Sequence, residues 1–179
     1  MNRRIAVLRG INVGGRRKIL MADLKALFVT MGFSNISTYI QSGNVFFDSF
    51  SEMNNLNLAK KIKHAIKKAF DFDVPVIVRT PTEIEEAINK NPFYSADTDI
   101  GHLHLTFLGE EPADEQIAEA EAHTFSPDKF SIQGKHVFIY CEGKYHKSKL
   151  TNSFFEKKLK VNATTRNWKT VLKLHERAQ

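Results

Sequence analysis

The ten residues Arg9-Gly10-Ile11-Asn12-Val13-Gly14-Gly15-Arg16-Arg17-Lys18 hold four cations and three glycines, and no acid. They follow the apolar run Ile5-Ala6-Val7-Leu8 and precede a segment of helical spacing. Glycine reaches positive φ and lets a partner approach the backbone closely. A strand, a glycine-rich basic loop and a helix together present backbone N–H groups and positive charge to a phosphate. The expected chemistry is anion binding by Arg9, Asn12, Gly14, Gly15, Arg16, Arg17 and Lys18. The spacing fits neither the P-loop nor the dinucleotide fingerprint, so no cofactor is implied. The competing reading is a tightly turned connection whose charges are solvated.

Other polar groups fall into smaller sets. Gln41-Ser42-Gly43-Asn44 is an amide-rich turn able to hydrogen-bond a base edge, a sugar or a phosphate, or simply to close a hairpin. His102 and His104 share one strand face with Thr106. Two such imidazoles suit acid–base work or a metal, but no third ligand is evident, and no metal is expected. The competing reading is a wet sheet face, with Leu103, Leu105 and Phe107 inward. Lys147 and Lys149 precede a helix that Ser148 or Thr151 caps, and Arg166 lies at the expected start of the last helix. These cations oppose the helix dipole, which favours a binding role. No catalytic triad or paired-carboxylate motif emerges, and Cys141 ends an apolar strand as a packing residue.

The elements that position these groups are legible from periodicity and punctuation. Residues 4–9 read as a buried strand. A helix over 21–31 stops at Gly32. Strands at 37–40 and 45–47 flank the Ser42-Gly43-Asn44 turn. A helix over 55–70 buries Leu56, Ala59, Ile62 and Ile66 and turns its lysines outward. Val74–Val78 is a strand, and Pro75 suggests an edge position. This β-α-β-β-α-β order is ferredoxin-like. With the first and third strands taken as parallel, the basic loop is expected opposite the Gln41–Asn44 turn, and Arg79 close to that turn. Whether loop and turn share one site stays open.

The second half opens with Thr80-Pro81-Thr82-Glu83, a capping box with proline at the first helical position. Strands follow at 102–108, 130–132 and 136–140, with helices at 112–122 and 148–159. A last helix after Thr165 places Trp168, Val171, Leu172 and His175 on one face. The fold class is α+β: two ferredoxin-like subdomains with antiparallel sheets, residues 1–80 and 81–179, plus a C-terminal helix. A base-stacking RNA-recognition sheet is disfavoured, because Ser42-Gly43-Asn44-Val45-Phe46-Phe47 lacks the alternating aromatic pattern.

The net charge of +6 conceals a partition. Residues 1–80 carry +8, residues 81–134 carry −10 and residues 135–179 carry +8. Basic ends around an acidic middle suit an anionic partner. A single cysteine excludes an internal disulfide and a cysteine zinc cluster. The chain start lacks a signal-peptide apolar region, and no run approaches membrane-spanning length, so a cytoplasmic location without membrane contact is expected.

Several blocks carry a resemblance. They include Arg9-Gly10-Ile11-Asn12-Val13-Gly14-Gly15, Met21-Ala22-Asp23-Leu24 and Tyr39-Ile40-Gln41-Ser42-Gly43-Asn44-Val45. Asn91-Pro92-Phe93, Ser148-Lys149-Leu150-Thr151-Asn152, Phe155-Glu156-Lys157-Lys158-Leu159 and Ala163-Thr164-Thr165-Arg166-Asn167-Trp168 complete the set. Over nearly the whole chain they closely resemble a bacterial family of uncharacterised proteins, domain of unknown function 1697. The resemblance implies two ferredoxin-like subdomains and carries over no activity, cofactor or catalytic residue. The leading expectation is binding of a phosphate-rich partner, nucleic acid or nucleotide. The alternatives are an enzyme acting on a small phosphorylated metabolite, with polar groups from Gln41, Asn44, His102 and His104, and a protein–protein adaptor.

Overall fold

In the computed structural model, which describes residues 2–50 and 52–179, β1 spans Asn2–Leu8, α1 Met21–Thr30, β2 Ser34–Tyr39 and β3 Asn44–Ser49. Helix α2 covers Asn55–Phe70 and β4 Val76–Arg79. The sheet order is β2-β3-β1-β4, which places Pro75 beside an edge strand. Ala6 and Leu8 of β1 meet Val45 and Phe47 of β3 on the face covered by Leu24 and Phe28 of α1 and Ile62 and Ile66 of α2. Alternation sends Ile5, Val7, Phe46 and Ile77 to the opposite face, and these too are buried. Among the described residues, this sheet therefore offers no open aromatic platform for stacking bases.

The expected direction of the third strand needs correction. Strands β1 and β3 are antiparallel, with Val7 opposite Asn44 and Asn2 opposite Ser49. The physical reason is simple. A crossover through one helix leaves β1 and β2 parallel, and the hairpin then reverses β3. The basic loop and the Gln41–Asn44 turn consequently lie at the same end of the sheet. Arg79 lies towards the other end, since β4 pairs Val76 with Leu8 and Arg79 with Ile5.

The second sheet repeats the plan. Helix α3, Pro81–Lys90, leads to β5 Leu103–Leu108, α4 Asp114–Glu121, β6 Lys129–Gln133 and β7 His136–Tyr140. Helix α5 Asn152–Leu159, β8 Ala163–Asn167 and α6 Trp168–Ala178 complete it. Its order, β6-β7-β5-β8, reproduces the first. The chain divides into two compact units, one ending at Glu83 and joined by Ala178–Gln179, the other Ile84–Arg177.

Local signals explain most boundaries. Thr80 and Glu83 form the capping box reciprocally: Thr80 N donates to Glu83 Oε2 at 2.8 Å and Glu83 N to Thr80 Oγ1 at 3.1 Å. Thr151 caps α5 by accepting from Phe154 N. The last helix begins later than expected. Residues 163–167 are a strand paired with β5, so Arg166 stands opposite Leu105 and not at a helix start. The buried stripe of α6 is Trp168, Val171, Leu174 and Ala178, with Leu174 in place of Leu172.

Candidate functional site

The basic loop is an ordered miniature ribbon. Arg16 N donates to Val13 O at 3.0 Å and Asn12 N to Arg17 O at 3.2 Å, so two short antiparallel arms close around Gly14-Gly15. Both glycines have positive φ, 57° and 74°, as a tight two-residue hairpin requires. A Cβ built on either would meet nothing within 4 Å, so the tip stands clear of its surroundings.

Asn12 holds the base of the ribbon. Its Nδ2 donates to Ile19 O at 2.9 Å and to Gln41 O at 3.0 Å, while its Oδ1 accepts from Ile19 N at 2.9 Å. The side chain is thus committed to the fold, and it ties the ribbon to the Gln41 turn. Leu8 N donates to Gly43 O at 2.8 Å, which fastens the end of β1 to the same turn. Gly43 has φ 84°, and a Cβ there would lie 2.7 Å from Ile11 Cδ1 and 2.8 Å from Leu8 Cβ. The glycine is required by close packing as well as by the turn.

Arg16, Arg17 and Lys18 are exposed and form no close ion pair among the described residues, though Lys63 and, more weakly, Arg17 hold the Asp73 carboxyl below its ordinary pKa, and the Arg17 guanidinium lies over Gly10. Arg9 is half-buried, and its backbone N–H donates to Pro75 O. A cavity of about 240 Å³ lies beside the ribbon, lined by Asn12, Gly15, Lys18, Leu20, Met21 and Gln41. The first turn of α1 opens here with Leu20 at the cap position and no side-chain cap. Ser42 and Asn44 stand differently. Asn44 is fully buried and donates to Tyr39 O and Ser42 Oγ, bracing the hairpin from within.

Arg79 is 1% exposed, and its Nη1 donates to Val78 O. Burial pushes its pKa down to about 10 against the pull of Glu83. This guanidinium is not a surface contact.

In the second unit Lys147 and Lys149 are exposed on either side of the end of a short 3₁₀ turn, Tyr145–Lys147. Arg166 is buried on β8, donates to Thr165 O and has its pKa lowered to about 10 by burial. It does not extend a positive surface, because its strand faces it inward.

The histidines also depart from the wet-face expectation. His104 and Thr106 share the helix-covered face with Leu108 and are buried. The His104 ring stacks on Tyr145 at 4.5 Å and 21°, and its Nδ1 is buried without a hydrogen-bond partner. Burial lowers its pKa, the His102 backbone opposes that shift through a hydrogen bond, and the His102 charge adds to it. His102 lies in a 3₁₀ turn before β5, half-buried, with Nδ1 donating to Cys141 O at 2.7 Å. Among the described residues no group of three metal-ligating side chains occurs.

A part-buried hydroxyl hub accompanies His104. Thr165 Oγ1 donates to Asn152 Oδ1 at 2.7 Å and lies 2.7 Å from Thr106 Oγ1. Burial raises the Tyr145 phenol pKa against a hydrogen bond with Thr165. Sequence reading missed Tyr145, whose signal was an aromatic set among lysines on a polar segment. Cys141 is buried in the core beside this hub, and burial pushes its thiol pKa up, as suits a packing residue.

No helix among the described residues is long and apolar enough to cross a membrane. Among curated proteins, none is significantly similar to this chain. A solved structure of a conserved bacterial protein from Streptococcus pneumoniae is similar at a TM-score of 0.78, with 25% identity over 99% of each chain. The family described as Protein of unknown function (DUF1697) matches residues 1–138, three quarters of the sequence. This chain belongs to the DUF1697 family.

Proposed function

We propose that this protein is a cytoplasmic binding protein for a phosphate-rich partner, nucleic acid or nucleotide, gripped by the ribbon at Arg9–Lys18. The observation that carries the reading is the presentation of Arg16, Arg17 and Lys18. All three are exposed on a ribbon braced by Asn12; Arg16 and Lys18 have no ion-pair partner among the described residues, while Arg17 also acts on the Asp73 carboxylate. A rigid mount lowers the ordering cost that flexible cations otherwise incur on binding. The first turn of α1 beside Lys18 has no side-chain cap, and Asp23 within that turn offsets part of its positive end. Gly14 and Gly15 leave the tip backbone open to close approach. Lys147 and Lys149 supply phosphate contacts from their own unit.

A second reading is favoured by the cavity. Lys18 and Gln41 converge on its 240 Å³, which is smaller than a typical ligand pocket but wide enough for a phosphate group. Fluorescence anisotropy with labelled nucleic acid at two salt concentrations separates the readings. Nucleic-acid binding falls steeply with salt, and replacing Arg16, Arg17 and Lys18 together with alanine lowers it at least about tenfold. An unchanged affinity in that variant, with the fold intact, rejects the ribbon as the contact.

A further inference from the structure

We propose that the ribbon enters the major groove of a B-form DNA duplex, with Arg16 beside the base edges and Arg17 and Lys18 against the flanking phosphates. The inference rests on the phosphate-partner reading and names the partner of that same site.

Three observations lead there. The ribbon is self-supporting: its arms are hydrogen-bonded to each other and its base is clamped through Asn12 to Ile19 and Gln41. A two-stranded ribbon is one of the two elements the major groove admits, and this one is short, the bridge pair Val13 and Arg16 behind a two-glycine tip. Its tip is also unobstructed, since nothing crowds Gly14 or Gly15. Penetration of a groove needs such a projection, whereas neutralising phosphates needs only a cationic surface.

The apolar groups around the ribbon are aliphatic. Val13 is 62% exposed, with Leu20 and Ile40 also exposed at this end of the sheet. Single-strand binding relies on aromatic rings on which bases stack. Tyr39, the aromatic residue preceding Ile40, is only half-exposed, and Phe46 and Phe47 are fully buried. Aliphatic side chains serve instead as contacts to the thymine methyl within the major groove. Arginine beside them matches the paired guanine acceptors on the same groove edge.

The test uses the full chain and three probes at one fixed salt concentration. They are a DNA duplex of about two helical turns, one of its single strands, and vesicles containing phosphatidylserine. The duplex is expected to bind at least about tenfold tighter than the single strand. Arg16→Lys, which keeps the charge and removes the planar fork, is expected to lower duplex affinity about tenfold with an unchanged melting temperature. Equal binding of duplex and single strand, or an unaffected Arg16→Lys variant, overturns the groove assignment and leaves the phosphate reading standing. Binding to vesicles without binding to DNA also overturns it and makes an anionic membrane the partner. Absence of binding to all three probes overturns this proposal and removes DNA as the partner of the ribbon.

Discussion

Asn12 illustrates how a residue suited to ligand chemistry serves the fold. Its three hydrogen bonds close a seven-residue span and reach across to the neighbouring turn. Asn12→Ala leaves Ile19 N without its acceptor and is expected to cost about 1–3 kcal/mol. Amide exchange over residues 12–19 should accelerate well before the rest of the first unit. The glycines sort in a similar way. Gly43→Ala forces a Cβ against Ile11 and Leu8 at a positive φ and should cost upwards of about 2 kcal/mol. Gly14→Ala meets open space and bears only the backbone strain, about 1 kcal/mol. Urea midpoints of the two variants test that ranking.

His104 gives the chain a pH dependence whose sign follows from its setting. Its folded pKa lies below the ordinary 6.5, because burial disfavours the imidazolium. Below pH 6.5 the unfolded state therefore binds more protons than the native one. The stability linked to this group is present above pH 6.5 and is lost as pH falls from there through the folded value. Tyr145 faces the ring as a neutral stack, and the charge that acts on it is that of His102, of like sign. Denaturation of the wild-type chain at pH 7.5 and pH 5.5 should show the loss. His104→Phe, which preserves the ring stack without titrating, should flatten it.

At the scale of elements, the sequence was readable wherever one local signal acted alone. The α2 boundaries emerged from its stripe, and α3 from its capping box. Thr80→Ala should destabilise by about 1 kcal/mol, visible as a lower thermal midpoint, because Glu83 N is left without its acceptor. Strand β8 escaped reading because threonine serves both as a helix cap and as a strand former. Pairing of Ala163–Asn167 with β5 decides between them, and no local residue records that pairing. The ribbon and the turn were each legible as candidates, and their adjacency is implied by the β-α-β-β order itself, because the crossover and the hairpin together fix the direction of β3. Burial of Arg79 and Arg166 was hidden, since cations are expected outside and only tertiary packing places them inside.

For the whole molecule, the decisive question is whether binding follows the net charge or one particular place. A chain with +8 over residues 1–80 will attract polyanions diffusely, so weaker affinity on removing any three cations proves little. Helix α2 offers the matching control. Lys60, Lys61 and Lys68 are exposed, Lys61 with its Nζ 5.9 Å from the centroid of the Phe33 ring, whereas Lys63 and Lys67 pair with Asp73 and Asp71. Replacing Lys60, Lys61 and Lys68 with alanine changes the net charge by the same amount as replacing Arg16, Arg17 and Lys18. If the field of the whole molecule governs binding, the two variants weaken equally and both salt dependences shallow alike. If the ribbon is the binding element, its variant lowers the slope of log affinity against log salt by about 2–3, roughly one for each phosphate it no longer neutralises. The α2 variant should then keep a near wild-type slope, its lysines acting only as distant charges screened over about 10 Å at 0.1 M salt.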